Sequence, residues 1–280
     1  MAEKAPYWVV PVMRTGYGAR GAVYLVVGTL ALMAAIFGGN AEGTTGALQQ
    51  LKSQAWGVIA LWGIGLGLLC FMVWRIIDAV MDLEAYGTGL KGVVARTGQF
   101  VTGVIHGALG VWAIALALGI GTGGQGSKSW TAKLLATEYG PWIMGLAGAA
   151  VVGTGIYYFY KAYSEKYKSH LKRTALMERL DPAAKVGLVA HGVAVALIGG
   201  FLIYAAVTAS PEQAGGLGKA FDTVRQVAFG RILLILLTAG LIAFAVFCFI
   251  EAVYRIVPAR AGPDVKTLAK KAERKADPRV

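Results

Sequence analysis

RTGYGARGAVYLVVG, Arg14 to Gly28, is the stretch that decides the architecture, because the chain repeats it twice. The second copy is RTGQFVTGVIHGALG, Arg96 to Gly110, and a more divergent third is KVGLVAHGVAVALIGG, Lys185 to Gly200. Three glycines keep register: Gly16, Gly21 and Gly28 become Gly98, Gly103 and Gly110, then Gly187, Gly192 and Gly199. The offsets are 82 and 89 residues. Self-similarity at a fixed spacing sets an architecture before any single helix is considered.

The repeat lies in a membrane-grade composition. Apolar residues make up 56% of the 280, charged residues 15%, and the mean hydropathy is +0.59. Soluble domains carry about 25% charged residues, so the chain reads as an integral membrane protein. Six apolar runs are long enough to cross a bilayer core, which needs about 20 residues per helix. They lie near 17–38, 57–78, 99–121, 140–161, 187–208 and 230–251.

A second set of landmarks has nearly the same spacing. The even runs open on aromatic-Gly pairs, Trp56-Gly57, Tyr139-Gly140 and Phe229-Gly230, at offsets of 83 and 90. They close on Asp78-Ala79, Lys161-Ala162 and Glu251-Ala252. Each unit is therefore a two-span hairpin that returns the chain to its starting side, and repeats of one orientation are related by an axis along the membrane normal. The expected fold is all-α: six transmembrane helices as three parallel two-helix repeats with approximate internal threefold symmetry. The expected divisions are an N-terminal cytoplasmic segment (1–13), repeat 1 (14–82), repeat 2 (96–164), a basic cytoplasmic connector (165–184), repeat 3 (185–257) and a polybasic cytoplasmic tail (258–280).

Lysine and arginine set the orientation. One side collects 21 of them and the other 6, so both termini are expected in the cytoplasm of a cell with an inner membrane. The tail from Arg260 carries seven positive and three negative residues and is expected to lie against anionic lipid. The same asymmetry accounts for the net charge of +12 without nucleic acid. Each outer loop holds a short amphipathic stretch, with Leu48 and Leu51, Trp130 and Leu134, or Phe221 and Val224 on its apolar side. These are expected to form interfacial helices lying in the headgroup boundary.

The tandem unit, basic-x-Gly-x-x-x-x-Gly opening one span and aromatic-Gly opening the next, resembles the bacterial membrane family known as "domain of unknown function 1206". The resemblance covers about residues 10–257. It implies a bacterial six-span membrane protein and no activity, substrate or cofactor. Unit 3 departs from the pattern with Lys185-Val186 where the other units have Arg-Thr.

Within each odd span the second and third motif glycines are seven residues apart, on one helix face. Small residues let helices approach closely, which drives association in lipid, so the nine glycines are assigned to helix packing. The polar positions beside them differ between copies. Arg20, Thr102 and His191 stand four residues past the first glycine, and Tyr24, His106 and Val195 four further on. Ionisable residues inside a membrane are costly and therefore candidates for function. The set is Arg20, Tyr24, Arg75, Thr102, His106 and His191, with the Asp78, Lys161 and Glu251 level beside it. Against it stands an anchoring role, with Arg20 and Arg75 snorkelling to the cytoplasmic boundary and His106 making a helix–helix hydrogen bond.

Catalytic motifs, metal-ligand spacings and dinucleotide fingerprints are missing from the sequence. GTGGQG at Gly121 to Gly126 reads as an outer connector, and Cys70 and Cys248 as small apolar residues. No catalytic, metal-binding or cofactor-binding residue is assigned, no cofactor is expected, and the chain reads as no enzyme. The leading expectation is a non-enzymatic scaffold or accessory subunit with a membrane-protein partner. The alternative is a small transporter or channel using the polar residues of spans 1, 3 and 5. A water-filled axis lined by Arg20, His106 and His191 would favour transport, and a dry axis filled by Gly and Leu would favour the scaffold.

Overall fold

The computed structural model describes residues 6–120, 126–172 and 174–257, without the side chains of 126–130. Expectations placed on 1–5, on 121–125 of the glycine-rich connector, on the Trp130 side chain and on the tail from 258 lie outside these residues. Nine α-helices are described: α1 (Val9–Phe37), α2 (Thr44–Lys52), α3 (Gly57–Met81), α4 (Leu90–Ala117), α5 (Gly126–Leu135), α6 (Gly140–Tyr163), α7 (Ala175–Thr208), α8 (Leu217–Gln226) and α9 (Gly230–Tyr254). Six of them, α1, α3, α4, α6, α7 and α9, are long and apolar enough to cross a membrane. Among the described residues the extended backbone is limited to a single antiparallel bridge, Leu171 with Arg255.

The odd spans start earlier than their apolar runs. α1, α4 and α7 begin at Val9, Leu90 and Ala175, about two to three turns before the expected boundaries. The motif's basic residue is thus inside a helix rather than ahead of it. Arg96 Nε and Nη2 donate to the Ala79 and Val80 carbonyls at 2.5 and 2.9 Å, satisfying the C-terminus of α3. Lys185 corresponds to Arg96 and pairs with Glu165, just past the end of α6. Of the expected 165–184 connector, the described residues form a 3₁₀ turn (Lys166–His170), extended backbone at Leu171 and Thr174, and the first turns of α7, which Thr174 caps by accepting from Met177 N at 3.2 Å.

The helices pack in the order α4, α3, α1, α9, α7, α6. Corresponding positions make corresponding contacts where one repeat meets the next. A Cβ on Gly110 would lie 2.8 Å from the Gly65 carbonyl, one on Gly199 2.8 Å from the Gly148 carbonyl, and one on Gly28 3.2 Å from the Thr238 carbonyl. These are three copies of one interface, with the odd helix's glycine against the even helix of the neighbouring repeat. Within repeats 1 and 3 the first motif glycine bears on the partner helix, Gly16 on the Phe71 backbone and Gly187 on that of Phe244. Repeat 2 breaks the pattern. Gly98 meets nothing within 4 Å, and α4 and α6 do not pack along their length. The expected threefold arrangement thus gives way to a ring left open inside repeat 2. The residue corresponding to Phe71 and Phe244 is Thr154, which is exposed.

The aromatic-Gly pairs mark a tight corner. Gly57, Gly140 and Gly230 each sit where a side chain would be driven into a carbonyl of the preceding short helix, from Leu51, Leu134 and Arg225 in turn. The short outer helices are present as expected, but two of them turn their apolar faces inward. Leu48 and Leu51 of α2 and Leu217 and Phe221 of α8 are buried in a cluster with Val27 and Ala31 of α1, Leu61 and Leu68 of α3, and Leu234 and Leu241 of α9. In place of the expected headgroup contact, they cap the half of the bundle away from the described chain ends, here called its outer half, where their apolar side chains join those of the spans. Leu134 joins a smaller cluster with Met144 and Ala205.

Candidate functional site

Two polar centres occupy the inner half of the bundle, below that apolar outer core. The first is built around Arg20. Its partner across the helix pair is Phe71, ten residues or about 15 Å from the inner end of α3 at 1.5 Å per residue. The guanidinium is therefore deep in the bundle. It does not snorkel: Arg20 is 3% exposed and points inward. Its Nη2 donates to Tyr158 Oη at 3.2 Å and lies 3.5 Å from His191 Nε2. Its Cζ is 5.0 Å from the Phe244 ring centroid, 5.4 Å from that of Phe71 and 5.7 Å from that of Tyr24. Such cation–π contacts are favourable where water is excluded. Among the described residues Arg20 has no carboxylate partner, and its Nε has no hydrogen-bond partner.

His191 is held by stacking. Its ring lies 3.9 Å from that of Phe244 at an interplanar angle of 6°, with Tyr24 and Tyr158 edge-on at 5.1 and 4.6 Å. Arginine can only donate, so His191 Nε2 accepts and Nδ1 carries the proton. That Nδ1 is buried without a partner among the described residues.

The structure thus brings Arg20, Tyr24 and His191 together. His106 sits beside them, its ring 4.9 Å from that of Phe71. The helix–helix hydrogen bond expected for it is replaced by a bond within α4, because Nδ1 donates to the Thr102 carbonyl at 2.8 Å, one turn back. Thr102 likewise donates to Gly98 O at 2.7 Å and stays on the open side of α4. Tyr158 was missed in the sequence, although it occupies the register position of Arg75.

Arg75 belongs to both centres. Its Cζ lies 5.4 Å from the ring of Phe71, which Arg20 also contacts, and 5.7 Å from that of Tyr17. Its Nη1 donates to Asp78 Oδ2 at 3.4 Å. Asp78 is fully buried and accepts from Gln99 Nε2 at 2.7 Å, and the same amide lies 3.2 Å from Glu84 Oε2. Tyr86 Oη donates to Glu84 Oε2 at 2.9 Å. Arg255 closes the network by pairing with both Glu84 and Glu251. Burial alone would raise the Glu84 carboxyl, but the Arg255 and Arg75 charges and the Arg255 hydrogen bond outweigh it and hold it well below the usual range. The network ties the inner ends of α3, α4 and α9 into one buried unit. Glu84, Gln99 and Arg255 were not picked out in the sequence. The i, i+4 pair Glu251 and Arg255 was the available signal.

A third group fastens the connector. Lys168 pairs with Glu165 at 2.7 Å and Asp181 at 2.9 Å, and Tyr167 donates to Asp181. Among the described residues no three His, Cys, Asp or Glu side chains come together as a metal-binding group.

A row of six apolar helices built from three tandem hairpins, with buried polar side chains in its inner half, defines a polytopic helical membrane protein. A family model described as Domain of Unknown Function (DUF1206) matches three tandem segments, residues 15–82, 97–165 and 186–255, and the chain belongs to that family. It is similar to the Bacillus subtilis (strain 168) protein named "Uncharacterized protein YxxB", with 29% identity over 252 residues, 89% of this chain and 92% of that protein. Neither comparison indicates an enzymatic family. No solved structure matches the chain.

Proposed function

We propose that this chain is a non-enzymatic scaffold or accessory subunit of the cell (inner) membrane, with both termini cytoplasmic and its basic face against anionic lipid. Its unclosed second hairpin takes a transmembrane helix of a partner protein. The observation that carries this reading is Gly98. Its counterparts Gly16 and Gly187 each bear on a neighbouring helix, whereas a side chain on Gly98 would meet nothing within 4 Å. Close packing at small residues is what holds helices together in lipid, so α4 and α6 present two halves of a helix-packing interface. Val101 and Tyr157 are exposed on these helices. The orientation rests on the distribution of 21 basic residues against 6.

The test is site-specific photo-crosslinking in cells. A photoreactive residue at Val101 or Tyr157 should give a discrete adduct with one membrane protein. The same residue at Ile232 or Leu236, exposed on α9, should give none. Gly98→Leu should abolish the adduct by filling the groove. Adducts with lipid alone, or a protein adduct indifferent to Gly98→Leu, would defeat the reading.

A second reading, a small transporter, is favoured by Arg20, whose charge lies deep in the bundle. Opposed to it is the outer half, where Val27, Ala31, Leu61, Leu68, Leu234 and Leu241 pack into one apolar cluster under the α2 and α8 caps. Transport would require that cluster to part.

A further inference from the structure

We propose that Arg20 and Tyr158, with His191 holding the guanidinium in place, form an oxyanion site inside the bundle, entered between α4 and α6, that takes the carboxylate or phosphate head of a ligand. The first ground is charge. Arginine keeps its proton under all physiological conditions, and an uncompensated cation deep in a membrane bundle costs several kcal/mol or more. Among the described residues the arginines with an ion pair, Arg75 and Arg255, sit in the inner network with their carboxylates. Arg20 has aromatic faces, a phenol and an imidazole instead.

The second ground is the set of donors. Arg20 Nε and His191 Nδ1 are buried without partners among the described residues, and both residues are more than nine-tenths buried. Tyr158 accepts from Arg20, which leaves its own O–H to donate. A forked guanidinium with a phenol O–H beside it matches an oxyanion, which presents several acceptor lone pairs in one plane or around one tetrahedron, while His191, whose Nε2 faces Arg20, holds the fork and turns its Nδ1–H away from it. A cation or an apolar ligand would leave these donors unmet.

The third ground is access. Phe71 and Phe244 wall Arg20, and their register counterpart in α6 is the small, exposed Thr154, one turn from the Tyr158 that bonds Arg20. Tyr158 stands one turn further along α6 from Thr154, and His106 one turn further along α4 from Thr102. The open edge of the ring therefore leads past hydroxyls and an imidazole toward the guanidinium. This route serves either a soluble anion or the head of a membrane lipid. The inference does not depend on a protein partner, and it is tested without one.

The full chain, purified in a neutral detergent, is heated at constant ionic strength set with chloride. One arm titrates inorganic phosphate and acetate. The other adds phosphatidylglycerol, with phosphatidylcholine as control. A saturable rise in melting temperature in the first arm identifies a soluble ligand, and a rise specific to phosphatidylglycerol identifies a lipid head. In Arg20→Met the rise should vanish while the ligand-free melting temperature stays level or increases, since a buried charge has been replaced by an apolar chain. Tyr158→Phe removes one donor and should weaken binding about tenfold, a readout that survives if Arg20→Met does not fold. Absence of a saturable rise in both arms would overturn the proposal. So would a Tyr158→Phe variant that responds like the native protein.

Discussion

Repeats 1 and 3 are closed hairpins and repeat 2 is an open one, although all three carry the same glycine register. The difference shows where the first motif glycine faces its partner helix. Phe71 and Phe244 each set their backbone on a glycine of the odd helix, while Thr154 is exposed and Gly98 is bare. Thr154 also holds the register of the two phenylalanines that face Arg20. The open edge of the ring and the exposed Thr154 fall in the same repeat, whose α6 also brings Tyr158 to the centre where it meets Arg20 and His191. The glycine motif turns out to be two devices: its first glycine closes the hairpin, and its second and third join one repeat to the next.

The largest effect should come from filling the first glycine. Leucine at Gly16 or Gly187 collides with helix backbone at Phe71 or Phe244, which cannot yield as a side chain can. Gly16→Leu and Gly187→Leu should leave little folded protein after detergent extraction. Gly98→Leu enters open space and should melt within about 1 kcal/mol of the native protein, with the gain in helix propensity in its favour. Gly28→Leu, facing Ile242 and the Thr238 carbonyl, should also be strongly destabilising. Equal losses at Gly16 and Gly98 would erase the distinction between closed and open hairpins.

Next in size is Arg255. Repeat 3 is locked to the inner end of repeat 1 through this residue, which neutralises Glu84 and Glu251 inside the protein. Repeat 2 has Glu165 in the same register, partly exposed and paired with Lys168 and Lys185. Arg255→Ala strands two buried carboxylates and should cost about 3–5 kcal/mol. Glu165→Ala breaks surface pairs and should cost less than about 1 kcal/mol. Thermal melts of the two variants side by side check this, and similar losses would mean that the inner ends of the repeats are fastened alike.

A smaller change should close the open hairpin. Ala19 lies against Gly67 and Ala190 against Gly240, whereas Val101 and Ala150 at the same register are both exposed. In a background without Cys70 and Cys248, the Ala19→Cys, Gly67→Cys pair should form a disulfide readily and the Val101→Cys, Ala150→Cys pair poorly. Adding Thr154→Phe should speed the second pair by about tenfold if the missing aromatic is what keeps α4 and α6 apart. No acceleration would place the cause elsewhere along the two helices.

The six spans were legible because apolar runs of bilayer length and two sets of landmarks point to them independently. Eight of the nine glycines assigned to packing were legible for a related reason, since a small residue held in register has few other uses on a membrane helix; the exception is Gly98, where a side chain would meet nothing within 4 Å. The early starts of α1, α4 and α7 were not, because a helix that leaves the membrane loses its apolar signal while keeping its hydrogen bonds. The faces of α2 and α8 were misjudged because an amphipathic pattern tells that one face is covered, not whether lipid or protein covers it. Arg20 and His191 stand out as polar residues in apolar runs, and Tyr158 does not, since tyrosine is unremarkable in a membrane helix. It surfaces only when Arg75 is projected one period onward. The Phe71, Thr154, Phe244 difference was also visible, but its meaning depends on knowing that the phenylalanines sit on the glycines.

The smallest effect is a pH dependence at the inner face. His170, in the turn between α6 and α7, is half-buried beside the network, with Arg255, Lys161, Glu84 and Glu251 around it. Burial first, and then the Arg255 charge, push its imidazole down to about 4. An unfolded histidine titrates near 6.5, so between pH 6.5 and 4 the unfolded chain binds the extra proton and the folded one does not. Stability from this group is complete above about pH 6.5 and declines as the pH falls toward 4. Allowing for partial screening, the loss at pH 5 should be on the order of 1 kcal/mol. Glu84 acts in a lower window: its depressed carboxyl contributes stability above the unfolded value near 4.3 and loses it as acid protonates the folded state. Melting temperatures of the native protein and His170→Asn at pH 7.5, 6 and 5 separate the two. The native protein should fall across this range and the variant should stay flatter. An identical slope in both would assign the acid sensitivity to groups other than His170. A steeper fall in the variant would mean that the ring is charged in the folded state and paired with Glu84 or Glu251.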